Sequence, residues 1–355
     1  MKELLFFIDE NSEIIKVNKF TIDTLGINFE KIKGQSIREL FDKSEKLNTL
    51  LNNHYIDESN SIDLILKTQR FGKIPVNVSF SRIKDKIGDN IGSIIVGRDI
   101  RDKIQITNSI NYAKLIQQSI FSSIKNLQNI IPESFIFFKP RDIVSGDFYW
   151  FKATDRFIFI AVVDCTGHGV PGAFMSIIGS TLLNEIIVQK NITLPSDILS
   201  NLDEGVKNSL SNKSANETLQ DDGMEISLCR IDKKYNKITV SSSNQSSFMI
   251  IQNEIIELPG SLHSIGGMTT KNKIFDNHEY EIIPNSLLYL YSDGFQDQFG
   301  GEKNKKYTSI RFSNFIHSIH SKSMAEQCSI IEKEFESWKG NNKQIDDVTV
   351  LGIKL

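Results

Sequence analysis

Four short acidic motifs in the last two thirds of the chain, Gly146-Asp147, Asp164-Cys165, Asp293-Gly294 and Asp346-Asp347, each lie at the edge of an apolar, strand-like run. Asp147 follows Ile143-Val144, Asp164 closes the run from Phe157 to Val163, Asp293 closes that from Leu287 to Ser292, and Asp346-Asp347 opens that from Val348 to Ile353. Strand ends far apart in sequence can converge, and converging carboxylates attract hard divalent cations. Carboxylate and carbonyl oxygens suit Mg²⁺ or Mn²⁺, whereas zinc and softer metals favour Cys and His clusters, which this sequence does not contain. Enzymes that use two such ions, roughly 3.5–4 Å apart, activate a water with them and hold the oxygens of a transferring phosphoryl group. A single Asp-Gly pair is commonly only a turn. Four acidic motifs, all at strand edges, are harder to explain without a cation, because gathered like charges repel.

The elements that must position these residues follow from the pattern around them. Phe135–Lys139 and Phe157–Val163 read as strands, followed by the glycine-rich run from Cys165 to Gly172, whose glycines let backbone approach an ion closely. Pro171 suits a helix start, and Ala173–Val188 reads as a long, mostly apolar helix. Further strands are expected at Met224–Ile231, Lys237–Ser242, Ser247–Gln252, Glu279–Ile283 and Leu287–Ser292, with a helix over Met324–Trp338. Many antiparallel strands with a few long helices indicate an α+β layered domain. Cys165 reads as a small buried side chain, His168 as a loop-shaping or solvent-facing residue, and Asp297 and Gln298 as helix caps. The polar stretch Asn208–Asp222 reads as a loop.

Composition narrows the function classes. The 355 residues suggest about two domains, and 39% hydrophobic content is enough for ordinary cores. A net charge of −3, from 41 basic and 44 acidic residues, gives no basic excess for a nucleic-acid backbone or an anionic membrane. Cys165, Cys229 and Cys328 are too few and too scattered for a disulfide framework, so a reducing cytoplasm is expected. No apolar run of membrane-spanning length and no signal peptide is read, so direct membrane attachment is not expected.

The first hundred residues read differently. Leu4–Ile8 and Glu13–Val17 form a strand pair, Asn18–Leu25 and Ser36–Phe41 short helices, and Ile62–Leu66, Ile74–Ile83 and Gly92–Ile100 three further strands. This order, with the ending Ile94-Ile95-Val96-Gly97-Arg98-Asp99-Ile100-Arg101-Asp102-Lys103, resembles a PAS sensor domain over residues 1–103. His54 is its one histidine and reads as a loop or helix-end residue rather than a haem ligand. From Asp102 to Leu127 apolar residues recur three or four apart, which predicts one amphipathic helix. It can lie on its own domain or pair with a second copy as a short coiled coil, making residues 104–130 a signalling and dimerisation linker.

The remaining motifs carry a second resemblance. Lys139-Pro140-Arg141-Asp142-Ile143-Val144-Ser145-Gly146-Asp147-Phe148-Tyr149-Trp150, Val162-Val163-Asp164-Cys165-Thr166-Gly167-His168-Gly169, Tyr291-Ser292-Asp293-Gly294 and Asp346-Asp347-Val348-Thr349-Val350, in this order, resemble the bacterial SpoIIE-type branch of the PPM serine/threonine phosphatases. The resemblance covers residues 131–355 and implies two antiparallel sheets between helical layers, an α-β-β-α sandwich. It also implies two Mn²⁺ or Mg²⁺ ions held by Asp164, the carbonyl of Cys165, Asp293 and Asp346, with Asp147 acting through water. Asp346 is chosen over Asp347 as the first acid of the closing motif. Arg141, or else Lys139, is the nearest cation to receive a substrate phosphate, since a guanidinium suits bidentate phosphate contact. The implied substrate is a phosphorylated protein of a signalling pathway, an anti-sigma-factor antagonist in many members of the branch. Two competing readings are a dimeric scaffold without turnover, which has no need of mutually repelling carboxylates, and a two-metal phosphoesterase for small esters.

Overall fold

The computed structural model describes residues 3–42, 45–52, 61–88, 90–210, 222–267 and 273–355. His54, and most of the polar stretch 208–222, lie outside them. The chain forms two compact units, residues 1–109 and 110–355.

The first unit is a five-stranded antiparallel sheet of β1 (Leu4–Ile8), β2 (Ile14–Val17), β3 (Ile62–Thr68), β4 (Gly72–Lys84) and β5 (Asn90–Asp99), ordered β2-β1-β5-β4-β3. Residues alternate between buried and exposed along β3 and β4, as a sheet with one covered face requires. The covering layer is α1 (Lys19–Leu25), α2 (Phe29–Ile32), a 3₁₀ turn (Ile37–Leu40) and α3 (Glu45–Asn52). The Asn18 side chain caps α1 by accepting from Thr21 N, and Gly26 ends it in the left-handed region. Phe6, Phe41, Leu66 and Val76 fill the core between sheet and helices.

The predicted single linker helix is in fact two: α4 (Arg101–Ile120) and α5 (Ile124–Ile130), broken where Ser123 occupies the N-cap position of α5. At the break Phe121 turns inward and stacks on Phe148, with ring centroids 5.6 Å apart. The apolar residues Ile106, Tyr112, Leu115 and Ile116 of α4 are exposed, and Gln117 is buried.

The second unit is built on two antiparallel sheets. One has the order β14-β10-β9-β8-β7, with β13 (Ile265–Gly266) also paired to β9. Its strands are β7 (Phe148–Ala153), β8 (Phe157–Cys165), β9 (Gly223–Asp232), β10 (Lys237–Ser243) and β14 (His278–Glu281). The other has the order β12-β11-β15-β18-β6, from β6 (Ser134–Lys139), β11 (Ser247–Ile251), β12 (Glu254–Leu258), β15 (Leu287–Tyr291) and β18 (Val348–Lys354). A small pair, β16 (Phe299–Gly300) and β17 (Lys305–Lys306), stands apart.

The central strands are apolar on both faces because both are covered. In β8, Ile158, Ile160 and Val162 face the layer between the sheets, while Phe159, Ala161 and Val163 pack under α6 (Gly169–Asn184) and α7 (Pro195–Leu210). In β15, Leu288 and Leu290 join the inter-sheet core; Leu287, Tyr289 and Tyr291 pack with α9 (Ser309–Ile319) and α10 (Met324–Lys339). The result is the expected α-β-β-α sandwich.

Three expectations need correction. Ile143-Val144 is not a strand: residues 140–147 form a loop and the strand follows Asp147 instead of preceding it. The helices α7 and α9 were not anticipated, and Asn208–Leu210 belongs to α7. Finally, Gly169–Gln189, which is α6 plus a π-helical turn, has 21 residues and mean hydropathy 1.4, enough to span a bilayer by length and composition. Half of it is buried inside the unit, where Met175, Leu183 and Ile186 pack on the sheet, so this is a core helix.

Leu290→Ala opens a void where the two sheets meet and should lower unfolding stability by about 2–5 kcal/mol. Urea denaturation followed by tryptophan fluorescence checks this, and a loss under about 1 kcal/mol would contradict the two-sided packing.

Candidate metal centre

Strand polarity delivers the acidic residues to one end of the sandwich. β8 finishes on Asp164-Cys165, and its antiparallel neighbours start beside that end, with Phe148 opposite Val163 and Glu225 opposite Asp164. In the other sheet Ser292-Asp293 follows the end of β15, and Asp346-Asp347 precedes the start of the antiparallel β18. The two ends are tied across the sheets at Asp147, whose Oδ2 accepts from Ser292 Oγ and, at 2.8 Å, from Thr349 Oγ1.

The two acids of the closing motif face different tasks. Asp347 is 2% exposed and its carboxylate grips the 140–147 loop: Arg141 N donates to Oδ1 and Gly146 N to Oδ2, both at 2.7 Å. Asp346 instead acts electrostatically on Asp164 and Asp293. The loop after β8 approaches equally closely. A Cβ on Gly146 would stand 2.7 Å from Gly167 O and 3.2 Å from Cys165 O, so only glycine fits against those carbonyls. Gly294 is likewise pressed on the backbone, since a Cβ there would stand 1.9 Å from Asp347 O. The Cys165 side chain is buried, and burial pushes its thiol well above the ordinary range.

Burial and mutual repulsion dominate the electrostatics. Desolvation, with the charges of Asp347 and Asp346, pushes the Asp147 carboxyl up to about 8 against the lowering effect of its Ser292 and Thr349 bonds. Asp164 is raised well above the carboxylate range by burial and by Asp147, Asp293, Asp346 and Glu225. Asp293 is raised to about 6 by burial and by Asp346, Asp297 and Glu225, opposed by a hydrogen bond with Asp164. Asp346 is raised chiefly by burial, with Arg141 and His168 pulling the other way.

Among the described residues none of these carboxylates has an ion-pair partner, and no group of three or more His, Cys, Asp or Glu side chains is gathered closely enough to hold a metal ion. The donors are all oxygen and the arrangement is open. That fits a hard cation which keeps several of its waters, as Mg²⁺ does, rather than one needing a complete protein cage.

The other predicted residues fall as follows. Arg141 is exposed and donates from Nη1 to Ile345 O at 2.8 Å. Lys139 is paired with Glu336 and lies over the Phe335 ring, on the α10 side of its sheet. His168 Nδ1 stands 2.9 Å from Asp142 Oδ2. Gln298 stands at the C-cap position of α8 (Gly294–Asp297) and is fully buried, its side chain donating to Phe299 O and Lys343 O and accepting from Ile345 N, so it also fixes the segment that leads into Asp346-Asp347. Asp297 pairs with Lys306.

Glu225 was missed by sequence reasoning. It sits beside Asp164 across the β8–β9 ladder and accepts from Asn244 Nδ2. The available signal was Asp222-Gly223 ahead of a strand, the same acid-at-a-strand-edge pattern as the other motifs, hidden by reading 208–222 as a loop. A second missed residue is Gln117, 4% exposed near the end of α4. Its Nε2 donates to Ser145 O (2.7 Å) and Ser176 Oγ (2.9 Å), and its Oε1 accepts from Ser145 N (3.2 Å), beside Asp147.

The raised carboxyls give a signed pH dependence. They hold protons in the folded state that the unfolded chain has released, so the metal-free protein loses stability as pH rises from about 4 through about 8. In a chelator the melting temperature should fall across that range, and Mn²⁺ or Mg²⁺ should raise it more at about pH 8 than at about pH 5. A melting temperature that climbs over that interval would contradict a shared field of these groups.

A family model for stage II sporulation protein E (SpoIIE) matches residues 154–355, more than half of the chain, and one for the PAS domain matches residues 3–102. No curated protein matches the chain. Among solved structures, it is similar to the SiaA-PP2C domain of Pseudomonas aeruginosa, with 28% identity and a TM-score of 0.65 over 72% of this chain and 99% of that one. It also shares the fold of the PP2C phosphatase domain with a fragment of the regulatory domain of SpoIIE from Bacillus subtilis, at 15% identity and a TM-score of 0.51, over 85% of this chain and 81% of that one. This chain belongs to the SpoIIE family of metal-dependent serine/threonine protein phosphatases and carries a PAS domain ahead of its phosphatase domain.

Proposed function

We propose that the chain hydrolyses phosphoserine or phosphothreonine on a protein partner, under control of its PAS domain. The observation that carries this is the set of carboxylates at the sheet ends, Asp147 buried and Asp164, Asp293 and Asp346 half-buried, none with an ion-pair partner among the described residues. Asp164, Asp293, Asp346 and the Cys165 carbonyl would hold two Mn²⁺ or Mg²⁺ ions, with Asp147 acting through water. When bound, such ions supply an activated water and stabilise charge on the phosphoryl oxygens. The choice of Asp346 over Asp347 is supported by the engagement of Asp347 with two backbone amides. Arg141 has Nη1 on a carbonyl and keeps its other guanidinium hydrogens for the substrate phosphate. The phosphorylated partner is, by resemblance to the family branch, an anti-sigma-factor antagonist in the cytoplasm.

The proposed division is a sensor at 1–103, a linker at 104–130 and a phosphatase at 131–355. Regulation is supported by Gln117: α4 begins in the first compact unit, and its buried amide contacts both the loop bearing Asp147 and the helix that follows the Asp164 loop. The exposed apolar residues of α4 suit pairing with a second copy, a homodimer through linker and sensor.

Asp164→Asn should abolish Mn²⁺-dependent phosphate release from a phosphoserine peptide, and persistent turnover would remove the metal assignment. Deleting residues 1–103 while keeping the linker should alter the rate at saturating Mn²⁺. An unchanged rate and metal dependence would remove the regulatory claim.

A further inference from the structure

The chain crosses from one sheet to the other at the end where the acidic residues gather. β10 closes on Ser243, opposite Ile226 of β9, and β11 opens on Ser247, opposite Leu290 of β15, so residues 244–246 make the crossing. The first two of them each hold a partner on a different sheet. Asn244 Nδ2 donates to Glu225 Oε1, on the residue that pairs with Asp164 across the β8–β9 ladder. Gln245 Nε2 donates to Tyr291 O at 2.7 Å, two residues before Asp293.

The Gln245 bond is the more telling of the two. Its side chain is 7% exposed, and a buried amide is kept where it holds something. What it holds is a main-chain carbonyl one residue beyond Leu290, the last residue of β15 that β11 pairs with. From there the chain runs to Ser292, whose hydroxyl donates to Asp147, and to Asp293. The crossing is itself anchored. Asn244 N donates to Ser261 O at 2.7 Å, Ser261 N to Ser242 O at 2.8 Å, and Ser243 Oγ to His263 O at 2.6 Å. Asn244 sits at φ +49°, in the left-handed region that asparagine tolerates. Both amides therefore project from a fixed base.

We infer that Asn244 and Gln245 are positioning residues of the metal centre, a clamp that sets the spacing between the sheet end carrying Asp164 and the one carrying Asp293. This rests on the metal-dependent phosphatase reading above. When ionised, Asp164 and Asp293 repel each other and drive those ends apart. A hard cation needs its oxygens at set distances, so ends that relax outward bind it less tightly. The clamp opposes that relaxation from outside the carboxylate cluster. Its two residues act through the strand ends they hold.

The test measures Mn²⁺ binding to the full-length protein by isothermal titration calorimetry, beside the melting temperature of the metal-free protein. Gln245→Met keeps the length of the side chain and removes the donor. It should weaken Mn²⁺ binding by about 10-fold or more. The Mn²⁺ concentration for half-maximal hydrolysis of p-nitrophenyl phosphate should rise in step, with kcat at saturating Mn²⁺ changed less. Asn244→Gly, at the surface and free of strain at positive φ, should shift both readouts in the same direction. Leu288→Ala, in the core between the sheets, is the control for a merely structural loss. It should lower the metal-free melting temperature further than Gln245→Met while changing Mn²⁺ affinity by less than about threefold. An affinity within about threefold of wild type in either clamp variant, or a loss no greater than Leu288→Ala gives, would overturn the inference and leave the phosphatase reading intact. A wild-type protein that binds no Mn²⁺ and releases no phosphate would overturn that reading, and the clamp with it.

Discussion

The constraint on which the rest of the structure depends is the repulsion among buried and half-buried carboxylates at one end of two sheets. Asp147, Asp164, Asp293 and Asp346 raise one another's proton affinity, and among the described residues no Lys or Arg is paired with any of them. Such a cluster is costly to fold around. It persists because the strands that carry it are among the most deeply buried in the molecule. β8 and β15 are covered on both faces, so the energy holding their ends in place comes from the cores above and below them, not from the site.

Hydrogen bonding then sorts the acids. Asp147 takes two hydroxyl donors from the opposite sheet, and Asp347 takes two backbone amides from the loop before it. These two work partly as structural clamps. The remaining carboxyls, with Glu225 alongside, have no cationic partner among the described residues. Around them the backbone is packed so tightly that glycine is required at 146 and 294. The shape of the site is therefore set by main chain and strand ends more than by flexible side chains.

Much of this was legible in the sequence because strand ends leave a local signature. Continuous apolar runs closed or opened by an acid located β8, β15 and β18 within a residue or two. The same reasoning failed where tertiary contacts override local pattern. Ile143-Val144 reads as a strand, yet Asp347 holds that segment as a loop. The linker periodicity runs unbroken through Ser122-Ser123, yet Phe121 leaves the helix to stack on Phe148. Gln298 holds the cap position expected of it, but two of its side-chain partners lie 45 and 47 residues away and leave no trace in nearby sequence. Glu225 and Gln117 are of this kind too, each meaningful only beside a residue from another element.

The unpaired cluster also imposes a sequence of events on any visitor. A phosphate monoester carries about two negative charges, and at close range in a poorly solvated setting like charges repel by several kcal/mol. An ester cannot settle against Asp164, Asp293 and Asp346 in their ionised form without climbing that barrier. A cation held among them would remove it, so above the pH at which these carboxyls release their protons the positive species would open the way for the ester.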